Sequence, residues 1–345
     1  MEMKEQFQKY CKYLKKERTE REQDNPIQRL KRDFESGRLD FYDFLDKTYQ
    51  WNKSIHVISD NLKHSGISSI EIRDGCVTYT SKENSIDLIF DGKDRRAVPF
   101  ELLSWGEYEK EELILLNSLI TDGMSLFDVG ANIGWYSLNW SKLFPNSHIY
   151  SFEPIPTTFK FLSANKLING AENIFEYNLA LSNSIEEKLF YYSPESAVLS
   201  SEKNIMEYQQ AERVKVKVST VDEIVKSEGI ACVDLIRYDV EGAEFNSLKG
   251  SMSTISKHYP ILVLELFHEW SKWFDYHPQE VFGFLFNLGY LAFLPDCGYL
   301  EAVNYYQSEN FSKQNYFFLH QNHHRQLIKD FSKGSQRERA STTPC

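Results

Sequence analysis

Four short stretches of this 345-residue chain carry side chains whose types and spacing suit the binding of a nucleoside-bearing ligand and the chemistry beside it. In Leu126-Phe-Asp-Val-Gly-Ala-Asn-Ile-Gly134, a short buried-strand run ends at Asp128, and Gly130 and Gly134 bracket the turn into a helix. Gly130 lets the backbone approach a ligand with no Cβ in the way. Gly134 lets the first helical turn pack tightly, and the amides of that turn can hold an anion. Asn132 stands where the dinucleotide fingerprint needs its second glycine, so a pyrophosphate-bearing cofactor is disfavoured. Ser151-Phe-Glu153-Pro154 then puts an acid about twenty residues further on, at the end of the adjacent strand, where a carboxylate accepts both ribose hydroxyl protons. Arg237-Tyr-Asp239-Val-Glu241-Gly-Ala-Glu244 gathers three acids at another strand end. Glu244 reads equally well as a helix N-terminal acid complementing the macrodipole. Glu265-Leu-Phe-His268-Glu269 brings a further acid and an imidazole to the same edge.

An open α/β sheet is what would hold these residues together, because ligands of such sheets bind at the carboxyl ends of the strands. From about residue 110 the sequence alternates strand and helix, with strands at 125–128, 148–152, 174–178, 233–238 and 261–266. A helix at 280–287 and strands at 290–294 and 316–319 follow. The pattern predicts a mostly parallel sheet with helices on both faces, and the last two strands suggest one antiparallel edge member. Upstream, residues 1–60 place Phe34, Leu39, Phe41, Phe44 and Leu45 at helical spacing. Residues 61–104 form a β-rich lead-in, with a hairpin signalled by Asp74-Gly75 and a strand at 86–90. The main domain is expected at 105–322 and a polar, disordered tail at 323–345.

A net charge of −11 argues against a nucleic-acid partner, which needs a concentrated basic surface. The ends run the other way: residues 1–33 carry ten Lys/Arg against seven Asp/Glu. No apolar run approaches the ~18–20 residues of a membrane span, and the first residues hold charge but no apolar leader core. Five scattered cysteines without ligand spacing read as reduced thiols. A cytoplasmic protein without a transmembrane segment is expected, its N-terminal helices packing on the main domain or joining copies into a homo-oligomer.

The chain resembles the FkbM family of class I, S-adenosylmethionine-dependent methyltransferases. The resemblance rests on LFDVGANIGWYSL (126–138), YSFEPIP (150–156), YNLALS (177–182), STVDE (219–223), DLIRYDVEGAEFNSLKG (234–250) and PILVLE (260–265), in that order, and extends back to WGEYEKEE (105–112). It implies a Rossmann-like seven-stranded sheet with S-adenosylmethionine across its C-terminal edge. Asp128, Gly130, Asn132 and Gly134 would surround the methionine half, Glu153 would hold the ribose, Asn178 and Ala180 would lie by the adenine, and Asp239 would face the methionine amino group. Arg237 departs from the family's usual Lys and keeps the charge without the compact ammonium. The family implies O-methylation of a small-molecule or glycan acceptor, with Asp239, Glu241 and His268 as catalytic candidates for taking the hydroxyl proton and no resident metal. Trp135, Tyr136 and Tyr108 read first as core rings, with a place facing the sulfonium as the second reading. Two alternatives are a metal-assisted O-methyltransferase, with Mg²⁺ held by Asp239, Glu241 and Glu265, and a catalytically silent cofactor-binding or assembly subunit.

Overall fold

The computed structural model describes residues 25–73, 75–205, 211–303 and 314–332. The chain divides into two units, residues 1–89 with 98–108, and residues 90–97 with 109–345.

In the first unit, helix α1 (Pro26–Glu35) starts where the Asn25 side chain accepts from the amides of Ile27 and Gln28, with proline in the first turn. Helix α2 (Phe41–Asn61) is capped by Asp40, and Phe34 of α1 stacks on Phe44 of α2 at 5.0 Å. Strands β1 (Ile67–Arg73), β2 (Cys76–Ser81) and β3 (Asp87–Leu88) form an antiparallel sheet, and helix α3 (Val98–Trp105) completes the unit. The expected hairpin is present, with Arg73 paired to Cys76. Asp74 itself lies outside the described residues.

The second unit opens with helix α4 (Lys110–Leu119) and runs through β4 (Ser125–Val129), α5 (Trp135–Leu143), β5 (His148–Phe152), α6 (Pro156–Asn169) and β6 (Ile174–Tyr177). A small second sheet follows, of β7 (Ala180–Leu181), β8 (Glu186–Tyr192) and β9 (Glu212–Ser219). The main sheet resumes through α7 (Val221–Ser227), β10 (Leu235–Tyr238), α8 (Glu244–Lys249), α9 (Met252–His258), β11 (Ile261–Leu266) and α10 (His268–Ser271). It ends with α11 (Pro278–Asn287), β12 (Tyr290–Asp296), β13 (Tyr299–Ala302), β14 (Gln314–His320) and α12 (Arg325–Phe331).

The main sheet has the order β13-β12-β14-β11-β10-β4-β5-β6. Strands β4, β5, β6, β10 and β11 run parallel, and the inner strands β4, β10 and β11 are short runs buried on both faces, as helices on both sides of the sheet require. Winding proceeds outward from β4 through β5 to β6, then returns to β4's other side with β10 and β11. Right-handed crossovers in opposite directions put the helices on opposite faces and open a crevice between the C-terminal ends of β4 and β10. This is the Rossmann-like arrangement the sequence predicts, with two corrections. The antiparallel strand β14 is not at the edge but lies between β11 and β12. Its run Asn315 to His320 is buried throughout, and a strand apolar on both faces belongs inside a sheet. An eighth strand, β13, is added to the seven by a two-residue turn at Cys297-Gly298, where both residues have positive φ.

The sequence reading passed over β8 and β9, although Arg213-Val-Lys-Val-Lys-Val alternates as a half-buried strand should. Their inward residues Phe190, Tyr192, Val216 and Val218 pack with Ile155. The expected polar tail begins instead with α12, and from residue 333 it lies outside the described residues.

Candidate functional site

The loop after β4 is tied down by its own backbone. Gly130 has φ of +90°, and a Cβ there would meet the carbonyl oxygen of Asp239 at 1.8 Å. Glycine is therefore required by the approach of the β4 and β10 loops to each other, where the sequence suggested approach to a ligand. The amides of Gly130 and Ala131 both donate to the Phe152 carbonyl, at 3.0 and 2.9 Å. The Asn132 amide donates to Glu153 Oε2 at 3.1 Å and the Ile133 amide to Asn132 Oδ1 at 2.7 Å. These loop amides are committed within the chain, so an anion held at this turn must rely on the helix amides beyond them. Gly134 behaves as expected: its Cβ direction is filled by Leu162 Cδ1 at 2.7 Å.

Asp128, the last acid of β4, is fully buried. Ser137 Oγ of α5 donates to its Oδ2 at 2.6 Å, and Arg237 reaches its Oδ1 at 3.2 Å. Arg237, on β10 opposite Asp128, extends its other nitrogen to Asp239 Oδ2 at 2.5 Å and toward Glu109 at 3.8 Å. Its guanidinium lies 4.0 Å from the centre of the Tyr136 ring, and the Tyr136 hydroxyl donates to Glu109 Oε2 at 2.6 Å. The Tyr136 face is thus occupied by guanidinium, not open to a sulfonium. Burial pushes the Asp128 and Glu109 carboxyls up, with Arg237 pulling both back. Burial also works against the Arg237 charge, but Asp239, Tyr136, Asp128 and Glu109 outweigh it and push its pKa higher still. One guanidinium among three carboxylates leaves a buried excess of acid, which a cationic ligand would balance. Glu109 went unrecognised as a site residue in the sequence. Its signal there is only the WGEYEKEE resemblance, and its left-handed backbone, φ 41° and ψ 44°, appears only in three dimensions.

Glu153 ends β5 in a buried position. The Ile155 amide donates to its Oε1 at 2.9 Å and the Asn132 amide to its Oε2. Burial nevertheless pushes its carboxyl up to about 8. Each oxygen retains a second acceptor direction, as a carboxylate holding two ribose hydroxyls would need. Asn178 donates its amide to the carbonyls of Glu153 and Pro154, at 2.8 and 3.0 Å, so it fixes the ends of β5 and β6 together. Ala180 opens β7, in register with Val218.

At the C-terminal ends of β10 and β11, Asp239, Glu241 and Glu265 each offer a carboxylate oxygen, and these atoms lie within 4.8 Å of one another. Glu241 takes a left-handed conformation, φ +53°, unusual for a side chain with a Cβ, and its carbonyl accepts from Ser201 Oγ at 3.0 Å. Such a group can share protons among crowded acids or hold a divalent cation through oxygen ligands. Glu244 is elsewhere engaged. Its Oε1 accepts from the amides of Val240 and Gly242, its Oε2 from the Tyr276 hydroxyl, and burial pushes it up to about 7. His268 begins α10 and is not a member of the three-acid group. Its Nδ1 is buried with no hydrogen-bond partner among the described residues, and its ring lies 4.5 Å from that of His277. Tyr108 belongs to the first unit, and Trp135 is buried at the start of α5.

The sequence profile of the methyltransferase FkbM domain matches residues 128–300. Methyltransferase sdnD of Sordaria araneosa is 29% identical over 154 residues, which cover 36% of this chain and 59% of that protein. Hexuronic acid methyltransferase AglP of Haloferax volcanii is 26% identical over 147 residues, covering 43% of this chain and 58% of that protein. The chain thus spans less than two thirds of the length of these relatives. Methyltransferase FkbM from Methylobacillus flagellatus, a solved structure, superposes with a TM-score of 0.39 at 16% identity, covering 59% of this chain and 45% of that one.

Proposed function

This chain belongs to the methyltransferase FkbM family, and from that premise we propose that it moves a methyl group from S-adenosylmethionine to a hydroxyl of a sugar or another hydroxylated metabolite. The observation that carries the reading is the place of Asp239. It is held by Arg237 in the buried acid network on one side, and it stands within 4.8 Å of Glu241 and Glu265 on the other. A cofactor site and an acceptor site that share one carboxylate bring donor and acceptor together.

The donor set fits the cofactor. The acid excess of Asp128, Glu109 and Asp239 suits a ligand carrying an ammonium and a sulfonium, and Glu109 and Asp239, each about a fifth exposed, are the two able to meet them. The free acceptor directions of Glu153 suit ribose hydroxyls. Gly130, Asn132 and Gly134 shape the loop between these two acids, with Asn178 and Ala180 assigned to the adenine side. Bound S-adenosylmethionine supplies an electrophilic methyl whose bond to sulfur breaks as the acceptor oxygen attacks in line. The chain's residues must take the acceptor proton and keep water out. We assign the proton to Glu241, because its carboxylate stands beside Asp239 and Glu265 where an acceptor hydroxyl would meet the cofactor methyl. His268 is the competing base, by virtue of its unpartnered Nδ1.

The test is titration with S-adenosylhomocysteine in a calorimeter, followed by methyl-transfer assays on a panel of hydroxylated sugars that includes hexuronic acids, the class named for the Haloferax volcanii relative. Binding with transfer to a hydroxyl supports the proposal. Binding with no transfer to any hydroxylated acceptor favours a silent cofactor-binding subunit. The 4.8 Å spacing of the three acids also favours a second reading, in which a divalent cation at Asp239, Glu241 and Glu265 holds the acceptor oxygen. Loss of activity in EDTA, restored by Mg²⁺, selects it.

A further inference from the structure

Glu241 and Gly242 are consecutive residues with positive φ, +53° and +100°, and the Ala243 amide reaches back to the Val240 carbonyl at 3.4 Å. These are the marks of a tight turn with both central residues left-handed. A side chain with a Cβ keeps that conformation only where its surroundings impose it. Glu244 Oε1 accepts from the amides on either side of Glu241, those of Val240 at 3.2 Å and Gly242 at 3.0 Å. Ser201 Oγ donates to the Glu241 carbonyl between them. Glu244 is itself buried, and its other oxygen, Oε2, accepts from the Tyr276 hydroxyl at 3.0 Å. We infer that Tyr276 is a positioning residue for Glu241: acting through Glu244, it fixes the turn that presents the Glu241 carboxylate to Asp239 and Glu265.

Tyr276 lies outside every stretch that carries the family resemblance. It is buried, and its ring packs on that of Phe245 at 5.4 Å, so its hydroxyl is held where Glu244 meets it. The same segment touches the turn a second time. A Cβ on Gly242 would lie 2.9 Å from the Phe274 ring and 3.1 Å from the Trp270 carbonyl. Residues 270–276 therefore close over the turn, with Phe274 against Gly242 and Tyr276 against the carboxylate that holds both flanking amides. Without the hydroxyl, Glu244 Oε2 becomes a buried acceptor lacking that partner, which is costly. The carboxylate also loses the contact that fixes its rotation over the two amides. The inference rests on the proposed function, in which Glu241 takes the acceptor proton.

The experiment compares the full chain with Tyr276→Phe, Glu244→Gln and Glu244→Ala by hydrogen–deuterium exchange, S-adenosylhomocysteine calorimetry and methyl-transfer kinetics. Tyr276→Phe keeps the ring and removes only the hydroxyl. Its Val240 and Gly242 amides are expected to exchange roughly tenfold faster, the worth of one hydrogen bond, while the cofactor turn at 130–134 exchanges as in the parent. Its kcat is expected to fall roughly ten- to a hundredfold, as a misplaced reacting group would cause, with acceptor KM and S-adenosylhomocysteine affinity unchanged. Glu244→Gln keeps an oxygen for both amides and turns its NH₂ to the Tyr276 oxygen, so its turn is expected to exchange as in the parent. Glu244→Ala is expected to exchange at least as fast as Tyr276→Phe. Parental exchange or parental kcat in Tyr276→Phe overturns the inference. So does exchange that quickens throughout the chain, or a glutamine variant as loose as the alanine one. If the parent transfers no methyl to any hydroxyl, the proposed chemistry fails on that result, and local exchange at the turn alone upholds or overturns the hold of Tyr276 on Glu241.

Discussion

At the scale of single residues, the site depends on acids kept partly protonated by burial. Under the proposed function, Glu153, pushed up to about 8, would accept ribose hydroxyls best as a carboxylate. Cofactor binding then lowers its pKa, so affinity should rise as pH increases and level off above about 8. Calorimetric titrations from pH 6 to 9 check this, and a pH-independent affinity refutes it. Glu153→Ala should remove that dependence and weaken cofactor binding by about 1.5–3 kcal/mol, the worth of hydrogen bonds to a charged acceptor. The base is decided by comparing Glu241→Gln with His268→Ala. If Glu241 takes the proton, its variant loses roughly 10²–10⁴ in kcat with cofactor affinity nearly intact, while the His268 variant retains most of its rate. The reverse ranking transfers the role to His268.

At the scale of elements, two loops are held by contacts that no single element could supply. The β4 and β10 loops meet where Gly130 faces the Asp239 carbonyl. Gly130→Ala puts a methyl into backbone and into a left-handed φ, which an unsubstituted alanine tolerates poorly. It should displace Asp239 and reduce cofactor affinity together with stability. Thermal shift and calorimetry on the same variant measure both, and a variant with parental affinity rejects the account. Ser201, in the β8–β9 connection, holds the strained Glu241 through its carbonyl. Ser201→Ala should lower kcat while leaving S-adenosylhomocysteine affinity unchanged, and Ser201→Thr should recover it. A loss of cofactor affinity in the alanine variant points to general disruption instead.

At the scale of the molecule, the buried acids couple stability to pH. Burial raises the Glu153 and Glu244 carboxyls to about 8 and about 7, so the folded chain holds protons that the unfolded chain has released. Stability then falls with rising pH. Burial lowers His258, His277, His320 and His324, and these act oppositely, but only below the ordinary histidine value near 6.5. Between pH 6.5 and 8 the acids act alone. The melting temperature of the ligand-free chain should therefore decline across that window, at up to about 1.4 kcal/mol of stability per pH unit for each acid. A melting temperature that climbs from pH 6.5 to 8 contradicts the assignment of these two groups.

The sequence by itself determined the parallel sheet, the glycine turn after β4 and the acid at the end of β5. Each is written in a local pattern: a short apolar run, a glycine where φ must be positive, an acid beside a proline. It also placed Asp239 and Glu241 on the correct edge, because strand order and strand direction follow from alternation with helices. It did not reveal that Gly130 serves the Asp239 carbonyl or that Arg237 binds Asp128, Asp239 and Glu109 into one network, although it did group Glu265 with Asp239 and Glu241 in the metal-assisted alternative. Nor did it place β14 inside the sheet. These are encounters between segments as far apart as Asp128 and Arg237, and a one-dimensional pattern records which face a residue prefers but not which distant residue will meet it there. Only the winding of β10 against β4, and the insertion of β14 beside β11, decide those neighbours.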